Sequence, residues 1–422
     1  MLNHQPLIYR PDQHHLPHGE INKATKKIIR KLNEAGYEAY LVGGAVRDLL
    51  LGLHPKDFDI ATDATPEDVK KVFKGQCRLI GRRFRLAHIY MGNQVYEIAT
   101  FRGDDSGDRV LKKGRIIRDN VYGSIEQDAI RRDFSCNALY YNIDSREVLD
   151  FVGGVEDLER GVLKLIGQAD QRFIEDPVRM LRAVRFEAKL GLTLPTEMAH
   201  QITAHRHLLH QVPIARLFDE TVKMFHCGNM MEAYQKLMDL DLFKILFPAA
   251  VDYLQDPNWH NLMMHAFSNT DQRLKQGLSV TPVFLTACVL WPPCIELYEK
   301  LRSQGKPPHD ALHLAAGQVL SQQQKSLMIP RAIQNGIRQM WILQLRFKKM
   351  FGKGVYSTLH HPRFRAGYDF LLLRNEIDAQ LNKQADFWTN IQNMPPENVK
   401  SLIFGKRKKR GINYRLAVHD AP

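Results

Sequence analysis

Two carboxylates two residues apart, Asp57 and Asp59, close the run Tyr40 to Ala61, YLVGGAVRDLLLGLHPKDFDIA, behind a glycine pair and an arginine. On a strand, side chains alternate between two faces, so both acids point the same way while Phe58 and Ile60 point into a core. Acids held this close repel and require a cation. Mg2+ takes a few carboxylate oxygens together with substrate phosphates, and paired metal ions can clamp both the attacking and the leaving oxygen of a phosphoryl transfer. Asp57 and Asp59 are therefore the candidate metal ligands and catalytic acids, and the chemistry they imply is that of nucleotides.

Gly43 and Gly44 follow a short apolar strand, Ala39 to Val42, and precede a helix-like run, Val46 to Leu51, closed by Gly52. A strand, glycine turn and helix start presents backbone N–H groups to an anion, and glycine lets a phosphate approach closely. Arg47, in the first turn, would add a positive charge. No G-x-x-x-x-G-K-[ST] is present, which excludes a P-loop.

The elements that must hold these residues can be read outward from them. Residues 22 to 35 form an amphipathic pattern ended by Gly36, and residues 38 to 61 supply strand, helix and strand. Thr65-Pro66-Glu67-Asp68 has the N-cap, first-turn proline and acids of a helix start. Cys77 to Ile80, Leu86 to Met91 and Gln94 to Phe101 read as successive strands, the last carrying Glu97 as a further acid. Asp104 to Arg118 is polar and glycine-spaced, which predicts a loop. Ser124 to Gln127 fits a capping box opening a helix that ends at Arg132 and Asp133. Asp176 and Pro177 read as the start of a helix with Arg179, Arg182 and Arg185 on adjoining faces. From about residue 170 strand signals nearly vanish. The expected fold is a small mixed α/β head followed by helical domains.

Among the 422 residues, 59 Lys and Arg stand against 46 Asp and Glu, a formal net charge of +13 that suits a polyanionic partner such as nucleic acid. The five cysteines, Cys77, Cys136, Cys227, Cys288 and Cys294, form no C-x-x-C pair, which argues against a zinc site or disulfide framework and for a reducing cytoplasm. The first residues lack the apolar core of a signal peptide. Prolines at 282, 292 and 293 interrupt the longest apolar run, so no membrane span is expected.

GGAVRD followed by KDFD resembles the nucleotidyltransferase signature of bacterial poly(A) polymerases and CCA-adding tRNA nucleotidyltransferases. Arg131-Arg132-Asp133-Phe134, continued as SCNALYYN, resembles that family's next motif, and Glu175-Asp176-Pro177-Val178-Arg179, continued as MLRAVRF, resembles the one after it. The order of the three agrees with the family. By this resemblance Arg132 and Arg47 would meet the triphosphate, Asp133 would complete the acidic site, and Asp176 with Arg179, supported by Arg182, would read the base. GRRFRLAH, with Arg82, Arg83 and Arg85, resembles the signature that separates the poly(A) polymerases from their CCA-adding relatives. IPRAIQNGIRQMWILQLR from Ile329 and HPRFRAGYDFLLLR from His361 are similar to the polymerases' body region. Where those polymerases carry a long basic tail, only Lys406, Arg407, Lys408, Lys409, Arg410 and a short end stand here.

The resemblance implies an extension at 1–20, a catalytic head at 21–168, a nucleotide-recognition neck at 169–225, an RNA-binding body at 226–400 and a basic tail at 401–422. It implies a cytoplasmic RNA adenylyltransferase using Mg2+ or Mn2+, with ATP and RNA 3′ ends as substrates and the arginines of 82–85 and the tail on RNA. A CCA-adding enzyme would share the head but also need CTP, against which GRRFRLAH argues. A silent RNA-binding module would not need Asp57 and Asp59.

Overall fold

The computed structural model describes residues 5–81, 85–103, 110–112, 115–118, 121–395 and 397–399. Its first part is built around an eight-stranded mixed sheet. The strands are β1 (Leu7–Tyr9), β2 (Ala39–Val42), β3 (Ile60–Thr62), β4 (Cys77–Ile80), β5 (Leu86–Met91) and β6 (Gln94–Thr100). A separate antiparallel ribbon of β7 (Val110–Lys112) and β8 (Arg115–Arg118) precedes the last two sheet strands, β9 (Leu139–Tyr141) and β10 (Val148–Asp150). Across the sheet the order is β1-β10-β9-β2-β3-β6-β5-β4. Among the described strands of this sheet only β3 and β6 pair in parallel, with Ile60 opposite Ile98. The ribbon corrects the expectation of plain loop over 104–118 for those described residues.

Local sequence explains the helices around the sheet. In α1 (Lys23–Glu34) the Asn22 side chain accepts from the Thr25 N–H at 2.7 Å, and Gly36 leaves the helix at φ +88°. In α3 (Pro66–Phe73) Thr65 caps the Asp68 N–H at 3.2 Å with Pro66 in the first turn. Between them lies α2 (Gly44–Leu50), and α4 (Ile125–Arg131) opens with the complete Ser124–Gln127 capping box. After β10 come α5 (Gly154–Glu159), α6 (Ala169–Glu175), α7 (Val178–Leu190) and α8 (Thr196–His205).

One expectation about the acids changes. Asp57 and Asp59 do not lie inside a strand: β3 begins at Ile60. The ladder stops there because β2 turns away at Gly43, and its last bond runs from the Val42 N–H to the Asp59 carbonyl at 3.0 Å. Ile60 is buried and Phe58 half-buried, so the alternation survives into the lead-in.

Beyond β10 the described residues form helices, without sheet strands. These are α9 (Ile214–Phe225), α10 (Met230–Asp239), α11 (Phe243–Leu246), α12 (Pro257–Lys275), α13 (Pro282–Val289), α14 (Trp291–Ser303), α15 (Pro308–Gln323), α16 (Arg331–Arg346), α17 (Lys353–Leu359), α18 (Phe364–Ile377) and α19 (Asn382–Gln392). Residues up to 212 with 232–242 make one compact unit, and residues 213–231 with those from 243 on make another. The second has its own core, including Phe347, Phe364, Tyr368 and Trp388. No helix among the described residues is long and apolar enough to cross a membrane.

Candidate active site

The parallel pairing of β3 with β6 sets Ile60 opposite Ile98 on the core side, and so brings the preceding residues, Asp59 and Glu97, alongside each other. Asp57, Asp59 and Glu97 are all exposed. Asp59 nevertheless stands where the surrounding protein displaces part of its water, and that desolvation, then the charges of Glu97 and Asp57, push its pKa up to about 6 against the pull of Arg132. An acid crowded in this way is a place where added positive charge is favoured. Among the described residues no three His, Cys, Asp or Glu side chains converge enough to enclose a metal by themselves. Two carboxylates and a neighbouring acid at an open surface fit Mg2+, which keeps waters and phosphate oxygens as its other ligands.

Beside the acids the chain makes the glycine turn. Gly43 has φ +72° and ψ −129°, a conformation that costs an L side chain dearly, and its N–H donates to the Leu139 carbonyl at 3.1 Å. That N–H is therefore not free for an anion, and the expectation for Gly43 narrows to shape. A Cβ on Gly43 would come within 3.3 Å of an Arg132 guanidinium nitrogen, so the missing side chain is what lets Arg132 lie against the turn. Gly44 starts α2, where the first N–H groups of a helix lack helical partners.

Arg132 is fixed in place. Its Nε and one terminal nitrogen donate to Asp128 Oδ2 at 3.1 and 2.9 Å, Nε also meets the Tyr140 hydroxyl at 3.1 Å, and the other nitrogen reaches the Asn137 carbonyl at 3.3 Å. Tyr140 in turn donates to Asp128 at 2.6 Å. Such a braced guanidinium keeps its fork aimed, so less side-chain entropy is lost on binding. Asp128 could have been found in the sequence, four residues before Arg132 on one helix face; Tyr140 carried no such signal.

Arg47 departs from its expected role. It is 3% exposed, donates from Nε to Asp48 at 2.8 Å, and bonds through its terminal nitrogens to Asp48 and to the Asn137 side chain. A guanidinium so enclosed braces α2. Lys189 of α7 reaches the same Asp48 at 3.2 Å, a link across 141 positions that no local pattern announces.

Asp133 is also placed otherwise than expected. Its carboxylate accepts from Arg182 Nε at 2.7 Å, from Asn137 Nδ2 at 3.0 Å and from the Phe134 N–H at 2.8 Å, and its partners do not include Asp57, Asp59 or Glu97. Burial opposes its charge, but Arg182, Asn137 and the Phe134 N–H outweigh this and hold its pKa below the usual carboxylate value. It is a strut under α7. Arg182 and Arg185 lie over the Phe186 ring at 5.1 and 4.4 Å, with Arg47 at 5.2 Å, and the Phe134 ring meets its edge at 5.5 Å. Asn137 and Phe186, which the reading of the motifs missed, are the residues that tie these arginines together.

Asp176 lies between α6 and α7 and accepts from the Val178 N–H at 3.3 Å. Arg179 donates through one terminal nitrogen to Glu175 at 3.0 Å and to the Arg172 carbonyl at 2.7 Å, while Arg172 reaches back to the carbonyls of Arg131 and Arg132. The residues expected to read the base are thereby anchored to those expected to hold the phosphates. Arg85 pairs with Glu67 at the surface. Arg82, Arg83 and Lys406 to Arg410 lie outside the described residues.

Residues 39–164 match the family model "Poly A polymerase head domain", 191–254 the model "Probable RNA and SrmB-binding site of polymerase A" and 304–415 the model "Polymerase A arginine-rich C-terminus". Poly(A) polymerase I of Salmonella typhi is 43% identical over 413 residues, covering 95% of this chain and 88% of the relative. That of Haemophilus influenzae is 42% identical over 395 residues, 91% and 87% of the two chains. The CCA-adding enzyme of Lactobacillus johnsonii is 38% identical over 223 residues, 53% of this chain and 55% of its own. Among solved structures, the Thermotoga maritima CCA-adding enzyme complexed with tRNA superposes with a TM-score of 0.59 over 88% of this chain and 82% of that one, at 21% identity, a likeness of fold.

Proposed function

The chain belongs to the family of bacterial poly(A) polymerases and is a polynucleotide adenylyltransferase, and we propose that it is a template-independent, metal-dependent one that joins AMP from ATP to the 3′ ends of cytoplasmic RNA with release of pyrophosphate. The observation that carries the site assignment is the crowding of Asp59 by Asp57 and Glu97 beside a glycine turn that holds Arg132. When bound by Asp57 and Asp59, Mg2+ or Mn2+ supplies Lewis-acid polarisation and a more acidic 3′-hydroxyl.

The chain's own groups do the rest. Arg132, already oriented by Asp128 and Tyr140, holds the triphosphate and steadies the charge that accumulates on the leaving pyrophosphate. Gly43 and Gly44 leave room for the phosphates to approach. Asp176 accepts from the exocyclic amino group of adenine, and Arg179, with one terminal nitrogen on Glu175 and the Arg172 carbonyl, offers its remaining N–H donors to the ring. Asp133 positions Arg182, and through it the helix that carries the base-reading pair. The functional divisions of the chain are the head at 21–168, the neck at 169–225, the body at 226–400 and the RNA-binding tail at 401–422.

A CCA-adding reading is favoured less, because that relative matches about half of the chain while the poly(A) polymerases match nearly all of it. Offering ATP, CTP, GTP and UTP separately with an unstructured RNA and Mg2+ separates the two. ATP should give long ladders and CTP little product. Addition that requires CTP, stops after a few nucleotides and is confined to tRNA ends would replace this reading with the other.

A further inference from the structure

The strands that carry Glu97 have one face sealed and one face open. Cys77, Ala87, Ile89, Tyr96 and Ile98 are buried, on the side where α3 packs against β4, β5 and β6. The alternate residues form the other face. There Arg78 stands opposite His88, and His88 opposite Glu97, in one row across β4, β5 and β6, and the parallel register continues that row to Asp59. In the next row toward the hairpin, Tyr90 stands opposite Val95. Tyr90 is 36% exposed and Val95 51%, and Ile80, on the same face but on the far side of the Arg78–His88–Glu97 row, 44%, so this face keeps large apolar groups in water. The Arg78 guanidinium lies over the Tyr90 ring at 5.2 Å, and His88 is 3.7 Å from Glu97.

We infer that this open face is the platform on which the 3′-terminal segment of the RNA being extended lies, with a base stacked on Tyr90 and phosphates beside Arg78 and His88. The inference rests on Asp57 and Asp59 being the reacting centre. A protein surface that binds single strands without regard to sequence combines an aromatic face for bases with cations for the backbone, and Tyr90 with Arg78 is that combination. Its occupant is set by continuity: the same face and the same row end at Glu97 and Asp59. With strands about 4.8 Å apart and two residues spanning about 6.6 Å, Tyr90 sits roughly 12 Å from Asp59, a span that the last nucleotides of a chain bridge. An RNA laid across β5 and β6 would thus present its 3′-hydroxyl to the acids while its preceding base covers the exposed ring. Stacking accepts every base, which suits an enzyme that meets many 3′ ends.

The test is the affinity of the full-length protein for a short 5′-fluorescein-labelled oligoadenylate, read by anisotropy, alongside the KM values for RNA and ATP. Tyr90→Ala should weaken binding and raise the RNA KM by about five- to a hundred-fold while the ATP KM holds, and Tyr90→Phe, which keeps the ring, should restore both. Val95→Glu, at an exposed position that tolerates change, should weaken binding by repelling phosphate and supplies the same test if Tyr90→Ala melts early. Unchanged anisotropy in Tyr90→Ala and Val95→Glu would overturn the inference and leave the face to another partner, such as a protein. Because anisotropy needs no chemistry, this failure is distinct from that of the acid site, which would show as nucleotide addition surviving Asp57→Ala.

Discussion

Asp59 and Asp133 lie in the same compact unit, each within a short charged motif, and are held in opposite ways. Asp59 has acids crowding it, and its pKa rises to about 6 under desolvation, Glu97 and Asp57. Asp133 is more enclosed, but Arg182, Asn137 and a backbone N–H keep it charged. The same carboxylate is left among like charges in one place and paired as a strut in the other, and the difference lies in whether the fold supplies the positive charge. The arginines follow suit: Arg47 is consumed by Asp48 and Asn137, while Arg132 is braced by Asp128 and Tyr140 beside the glycine turn.

The largest effect should come from removing an acid poised for metal. Asp57→Ala or Asp59→Ala should lower nucleotide addition by roughly a thousand-fold or more, since the charge stabilisation forfeited with the metal is several kcal/mol. Thermal unfolding and RNA affinity should stay near those of the parent. A well-folded variant with ordinary activity would erase the distinction between ligand and strut.

Removing a strut should act on stability instead. Asp133→Ala takes from Arg182 the carboxylate it pairs with beside Phe186 and should cost about 2–3 kcal/mol, below the 3–5 kcal/mol typical of a fully buried pair because Arg182 keeps some solvent. Denaturant midpoints measure this directly. A loss below about 0.5 kcal/mol would show that the pair is a surface ion pair of the ordinary kind.

The two acids should also give opposite pH trends in the metal-free protein. The Asp59 pKa is raised in the fold from 3.8 to about 6, so its contribution favours folding below about pH 4 and is lost as pH climbs toward 6. The Asp133 pKa is lowered, so its contribution is present above the ordinary carboxylate value and is lost as pH falls through the folded one. With chelator present, Asp59→Asn should flatten the decline between pH 4 and 6, and Asp133→Asn should flatten the acid limb. An Asp59→Asn profile parallel to the parent's would remove the crowding argument.

The smallest effect concerns the tail. Neutralising Lys406 to Arg410 should weaken RNA binding for all sequences alike and reduce the slope of log affinity against log salt by somewhat under one for each phosphate that is no longer neutralised. An unchanged slope would mean these residues are simply solvated.

What the sequence disclosed and what it hid follow from the range of the interactions. The Asn22, Thr65 and Ser124 caps, the glycine turn and the strands carrying Glu97 are written in residues a few positions apart, and they stand where spacing puts them. The start of β3 is not legible in its own residues because strand length depends on the partner, and β2 leaves at Gly43. The roles of Arg47 and Asp133 escape the motifs because Asn137 meets Arg47 across 90 positions and Arg182 meets Asp133 across 49. An arginine in a motif says that a charge is needed, and only the fold says whether a ligand or a neighbour receives it.

The cation demand at Asp59 is tested most directly by titrating Mn2+ into the protein with ATP present and following the free ion by electron paramagnetic resonance. Parent protein should take up Mn2+ more tightly than ATP alone does, and Asp57→Asn with Asp59→Asn should abolish the excess while Asp133→Asn retains it. Equal uptake by the doubly substituted protein would contradict the assignment of Asp57 and Asp59 as the metal's ligands.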